Sequence, residues 1–167
     1  MFEYVKGVVD ARSGYSGGTA ADAQYKTVTS GKTDHAEAVE VTFDPSVVSY
    51  RDLLRIFFAV HDPTTLNYQI PDYGRWYRSA VHYADPAQKV VAEEVMLEVQ
   101  SLLPSPIVTE LAALKKFYPA EDYHQDFARR NPQHGYIVRW DLEKLDILEA
   151  EFPQLFNASR PLPGFTN

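Results

Sequence analysis

The sequence predicts an α+β domain in which helices pack on one face of a mixed sheet. Three observations carry this. Residues 34–43, DHAEAVEVTF, place Val39, Val41 and Phe43 on one side by period-two alternation, the pattern of a half-buried strand. Residues 49–63, SYRDLLRIFFAVHDP, show helical spacing between a capping residue, Ser49, and a breaker, Pro63. Strand and helix signals alternate only in part along the chain, and no internal repeat or low-complexity segment interrupts them.

In chain order, VKGVVDARSGY forms a short strand closed by GYSGG, whose glycines suit a tight turn or a close backbone approach. ADAQYKTVTSG fits a short helix with Gly31 as its stop. The strand 34–43 follows, then FDPSVV as a turn. In the helix after it, Asp52 adds negative charge to the first turn. TTLNYQIPDYGRWY is a loop rich in Tyr, Asn and Asp, and RSAVHYA is a strand. Asp85 and Pro86 open the helix DPAQKVVAEEVMLEVQSLL. PIVTEL is another strand, and FYPAEDYHQDFARRN is a loop entering a helix. HGYIVRW fits a strand or extended segment, DLEKLDILEAEF a closing helix, and PQLFNASRPLPGFTN a tail.

A chain of 167 residues suits one domain, 1–167, with a sizeable core. Its net charge is −7 and Lys and Arg form no dense run, which argues against a nucleic-acid or anionic-membrane partner. The opening MFEYVKGVVDARSG has no long apolar segment of the secretory kind, and no window is apolar enough to span a bilayer. A cytoplasmic location is the expectation. There are no cysteines, so these residues supply no disulfide, no thiolate nucleophile and no thiolate metal ligand.

Glu37 raises the chemical question. It shares the alternating face of Val39, Val41 and Phe43, where an ionised carboxylate is costly unless paired. Further polar candidates gather at Tyr25, at His35, in the loop from Asn67 to Tyr77, and from Tyr118 to His124. Three readings compete. Glu37 is a partly wet residue at a strand entrance and His35 an ordinary edge histidine. Alternatively His35, Glu37, His61, Asp62, Asp122 and His124 hold a metal, although their spacing matches no compact ligand motif. In the third reading Glu37 is a neutral acid in a pocket, with tyrosines as further donors. Taken alone, Tyr25 and Tyr77 pack as ordinary aromatics, and Asp72 after Pro71 is a turn former.

The blocks GYSGG, YKTVTSGKTDHAEAVEVTFDP, YRDLLRIFFAVHDPTTLN, PDYGRWYRSAVHY, PIVTEL and FYPAEDYHQDF, in that order, resemble the peptide methionine sulfoxide reductase A family. The resemblance runs from Phe2 to Tyr136, with residues 137–167 as a C-terminal extension. It implies a two-layer, ferredoxin-like sandwich with an irregular C-terminal wrap. It also implies reduction of methionine S-sulfoxide, and so repair of oxidised proteins under oxidative stress, without a dissociable cofactor. In the family a cysteine thiolate attacks the sulfoxide sulfur, and an outside thiol, usually thioredoxin, reduces the resulting sulfenic acid. Glu37 matches the acid that protonates the sulfoxide oxygen, Tyr25 and Tyr77 the tyrosines that orient it, and Asp72 an aspartate that orders the site through water. The segment Tyr118 to His124 is expected to order the loop near the site, with Glu121 and Asp122 as candidate supporting groups.

The chain also departs from the family pattern. The family's Gly-Cys-Phe-Trp block precedes an F-x-x-V-x-G-V pattern that here is Phe2, Val5, Gly7 and Val8. The nucleophile, its methyl-binding aromatics and a core strand are therefore not among these residues. Trp76 stands where the family has Gln before the tyrosine, and so falls beside the substrate. Two explanations fit: Met1 is an internal methionine of a longer reductase, or the chain is a remnant that binds without reacting. Either way, an unpaired strand edge and an apolar gap are expected.

Overall fold

The computed structural model describes residues 1–160. Its strands are β1 (Val8–Ser16), β2 (Ala36–Phe43), β3 (Tyr68–Gln69), β4 (Asp72–Tyr73), β5 (Ala80–Tyr83), β6 (Glu110–Ala113) and β7 (Phe117–Pro119). Its helices are α1 (Tyr25–Val28), α2 (Tyr50–Ala59), α3 (Pro86–Gln100), α4 (Phe127–Arg130) and α5 (Leu142–Glu151). The architecture is α+β. One antiparallel sheet has the order β2-β1-β7, β5 and β6 form a parallel pair, and β3 and β4 form a small hairpin.

Local signals set most boundaries. Ser49 caps α2 by accepting the Asp52 N–H at 3.1 Å, and Asp85 caps α3 by accepting the Gln88 N–H at 2.9 Å. In the GYSGG turn, Gly17 has φ +101°, and a Cβ on Gly18 would lie 2.4 Å from the His35 ring. Both the turn and the close approach therefore require glycine.

Helix α2 ties the two sheets together because it is apolar on two sides. Leu53 and Ile56 join Val8, Val48, Leu145 and Leu148 in one core cluster. Leu54 and Phe58 join Val81, Ala92 and Val95 in another, under β5 and α3. Arg78 links the sheets at one end. It donates to the carbonyls of Asp34 at 2.9 Å and His35 at 3.1 Å, and to Glu110 at 2.8 Å.

Several expectations need correction. HGYIVRW is helical rather than extended: Ile137–Asp141 is a π-helical segment running into α5. Ile137 is buried, as are Leu145 and Leu148, and the three recur at helical spacing, which overrides β-branched propensity. In PIVTEL only Glu110 and Leu111 are strand, because β6 pairs from Glu110 opposite Ala80, the first residue of β5. The strand β7 and the β3–β4 hairpin lie inside segments expected to be loops. The tail is partly docked: Lys6 N–H donates to the Leu155 carbonyl at 2.7 Å, and Asn157 N–H to that of Tyr4 at 2.8 Å. Its last seven residues, 161–167, lie outside the described residues. Among the described residues, no helix is long and apolar enough to cross a membrane.

Candidate active site

A cleft of about 840 Å³ separates β2 from β5, with Leu53, Leu54 and Phe57 of α2 on its floor. Glu37 lines it, opposite Tyr15 in the β1–β2 register. Burial pushes the Glu37 pKa up to about 7; the negative charge of Asp72 adds to this, and hydrogen bonding from the Tyr77 hydroxyl draws it part of the way back. The side chain is not enclosed as expected. Glu37 is exposed to solvent, and Val39 beside it is 51% exposed. The apolar face of β2 looks into an open cleft, and only Val41 and Phe43 pack against the first core cluster. The carboxyl is desolvated by the surrounding walls rather than sealed in.

Tyr77 lies near that carboxyl and lines the same cleft. Its pKa is pushed up to about 12 by burial and by the negative charge of Glu37, so it remains a donor at neutral pH. Tyr25 opens α1 and lines the same cleft without bonding Glu37. Its N–H donates to Glu121 Oε1 at 2.9 Å, and its ring sits 4.6 Å from that of His124. Glu121 Oε2 accepts the Tyr15 hydroxyl at 2.8 Å, so one carboxylate fixes both Tyr25 and the residue opposite Glu37. Burial opposes ionisation of Glu121, but the Tyr25 N–H and Tyr15 O–H outweigh it and hold its pKa below the usual range.

Asp72, on β4, accepts a hydrogen bond from Tyr136, a residue that sequence reasoning missed. No periodicity could reveal it, because its partner is 64 residues away across a loop. Trp76 is not among the side chains lining the cleft. It stands 5.6 Å from the Tyr77 ring and packs against the cluster of Tyr15, Val28 and Ala120.

The histidines hold structure together. His35 is fully buried; its Nδ1 accepts the Gly18 N–H at 3.2 Å and its Nε2 donates to the Thr19 carbonyl at 2.9 Å. Those two bonds require the neutral ring. His61 bridges the Phe57 carbonyl at 2.6 Å and Ser79 Oγ at 2.7 Å. Among the described residues, no group of three or more His, Asp or Glu side chains is placed to hold a metal.

A carboxyl with a raised pKa, near one tyrosine hydroxyl and in a cleft that a second tyrosine also lines, is an arrangement suited to protonating an oxygen atom on a ligand. Comparison with known proteins narrows that class. The family model described as peptide methionine sulfoxide reductase matches residues 1–155. The peptide methionine sulfoxide reductase MsrA 2 of Mesorhizobium japonicum is 49% identical over 160 residues, covering 94% of this chain and 82% of its own. Its namesake from Synechocystis is 53% identical over 161 residues, covering 95% of this chain and 75% of its own. Among solved structures, reduced Mxr1 from Saccharomyces cerevisiae superposes with a TM-score of 0.73 at 36% identity, covering 77% of this chain and 74% of its own. Mxr1 in complex with Trx2 gives 0.51 at 28% identity, covering 73% of this chain and 68% of its own. The chain belongs to the peptide methionine sulfoxide reductase family.

Proposed function

We propose that this chain provides the acid and oxygen-binding half of a peptide methionine sulfoxide reductase site, used in repair of oxidised proteins. The observation that carries the reading is Glu37, with a pKa of about 7 and Tyr77 against it. A sulfoxide oxygen is a poor leaving group until protonated. Glu37 holds a proton near neutral pH, Tyr77 and Tyr25 donate to the same oxygen, and Asp72, anchored by Tyr136, keeps the Glu37 proton in place by its charge. Attack on sulfur requires a soft nucleophile, and no cysteine is present in the 167 residues. The thiolate must therefore come from outside them, and the sulfenic acid left on it must be reduced by a further thiol. Mxr1 in complex with Trx2 supports a thioredoxin as that reductant. Trp76 backs Tyr77 and so reaches substrate at second hand. The two sheets over α2 and α3 support a two-layer, ferredoxin-like sandwich.

The absence of a thiol in these residues also favours a second reading, binding without turnover. One assay separates the two. The chain is mixed with dabsyl-methionine S-sulfoxide and dithiothreitol, alone and joined to an upstream segment that carries a Gly-Cys-Phe-Trp block. No turnover is expected from the chain alone. The chimera turns over, and Glu37→Gln slows it about a hundredfold or more. A silent chimera that is folded and binds the sulfoxide leaves the binding reading; turnover by the cysteine-free chain refutes the mechanism.

A further inference from the structure

Resting on the reading of Glu37, Tyr77 and Tyr25 as an oxygen-binding site, we propose that Trp76 is a positioning residue: its indole N–H stands behind the Tyr77 hydroxyl and turns that hydroxyl's proton into the cleft. Trp76 and Tyr77 are consecutive in the 3₁₀ turn Arg75–Tyr77, which the Tyr77 N–H closes by donating to the Gly74 carbonyl at 2.9 Å. Neighbouring side chains of such a turn leave the backbone about 120° apart. Tyr77 therefore lines the cleft while Trp76 does not. Their rings still meet, with centroids 5.6 Å apart and planes tilted by 51°.

The indole is fixed by its surroundings. It packs against the cluster of Tyr15, Val28 and Ala120. A Cβ on Gly74 would lie 2.5 Å from it and one on Gly31 3.3 Å, so glycine at both places leaves room for the ring. Its Nε1 is buried there and makes no hydrogen bond of ordinary geometry. A buried donor in that condition is unfavourable unless something answers it. The group it acts on is the Tyr77 hydroxyl. Burial and the charge of Glu37 push the Tyr77 pKa up to about 12, and hydrogen bonding from Trp76 draws it part of the way back.

An indole N–H donates and cannot accept. A phenol O–H prefers the plane of its own ring, which leaves it two directions. A donor-only group on one side of the oxygen closes that direction, because two hydrogens would meet there. The Tyr77 proton is left pointing to the other side, where Glu37 accepts from it. The contact is also cooperative. When Tyr77 donates, its oxygen gains negative charge and draws the indole N–H closer. A long contact thus shortens as an acceptor takes the Tyr77 proton, as hydrogen bonds at active sites commonly do. A side chain able to accept as well as donate would let the hydroxyl turn away from the ligand.

The test uses the full chain, labelled with nitrogen-15 and with carbon-13 at the glutamate carboxyls. Of its two indole N–H signals, that of Trp76 should move downfield as Glu37 ionises, with a midpoint near pH 7, and that of Trp140 should not. Tyr77→Phe should abolish the movement. Trp76→Phe keeps an aromatic ring and removes the donor. It should raise the Glu37 midpoint by about 0.3 pH unit or more, against about one pH unit for Tyr77→Phe. Added to Tyr77→Phe, it should have no further effect, because no hydroxyl is left to turn. An equal effect of Trp76→Phe with and without the Tyr77 hydroxyl would mean packing alone and would overturn the proposal. A Trp76 signal that ignores Glu37 ionisation in the parent chain would overturn it too, whether or not the variants fold. A Glu37 midpoint near 4.5 would sink the acid itself and this proposal with it. A midpoint near 7 with an indifferent Trp76 leaves the acid standing and removes only the role of Trp76.

Discussion

Replacing Glu37 with Gln should stabilise the protein at alkaline pH and leave it unchanged in acid. The carboxyl has an ordinary value of 4.5 and titrates at about 7 in the fold. Below pH 4.5 it is protonated in both the folded and unfolded chain and makes no difference. Between the two values the unfolded chain has lost the proton and the fold has kept it, so stability falls as pH rises. Above pH 7 both forms are ionised and the full cost is present. At 1.36 kcal/mol per pH unit that cost reaches ~3.4 kcal/mol. Glu37 is exposed to solvent, and screening reduces the figure to about 1–2 kcal/mol. For a chain of this size the melting temperature of Glu37→Gln at pH 8 should exceed the parent's by about 2–8 °C. The two should converge at pH 4. Paired thermal scans from pH 4 to 9, with carbon-13 titration of the Glu37 carboxyl, read both quantities. Parallel melting curves, or a carboxyl that titrates near 4.5, would refute the proton-holding site.

Other substitutions probe the support of that carboxyl. Asp72→Asn removes the negative neighbour, so Glu37 should titrate at lower pH in the same carbon-13 experiment. Gly18→Ala places a methyl 2.4 Å from the His35 ring and should lower stability by about 1–3 kcal/mol, measured by urea unfolding. Arg78→Lys breaks a planar fork that spans the Asp34 and His35 carbonyls and Glu110; a loss of about 1–3 kcal/mol is expected in the same measurement.

Local chemistry was legible wherever it acts within a few residues. The caps at Ser49 and Asp85, the glycine turn before His35 and the alternation of β2 all follow from short-range rules. The alternation of β2 correctly paired Glu37 with Val39, and it could not say whether that face meets a core or a cleft. That depends on what lies across from it, and β5 is set by packing of α2 and α3 far along the chain. The misreading of HGYIVRW has the same origin. Ile137 and Val138 favour a strand by propensity, and only the packing of residues through Leu148 makes the segment helical. Contacts such as Tyr136 with Asp72, or Glu121 with Tyr15 106 residues apart, leave no periodic trace at all.

The same geometry that opens the cleft also tunes the acid. Helix α2 spends its apolar side chains in two directions, Leu53 and Ile56 toward one cluster and Leu54 and Phe58 toward the other. The two clusters lie on different sides of the helix, and the side chains of β2 line the cleft between the sheets. A packed core would force Glu37 neutral at any working pH, and a fully solvated surface would return it to an ordinary carboxylate. A walled cleft with Asp72 nearby gives the intermediate value of about 7. Any ligand that fills the cleft displaces water from Glu37 and favours its protonated form further. The group is therefore most fully loaded with its proton when the site is occupied, which is the condition under which a bound oxygen can receive it.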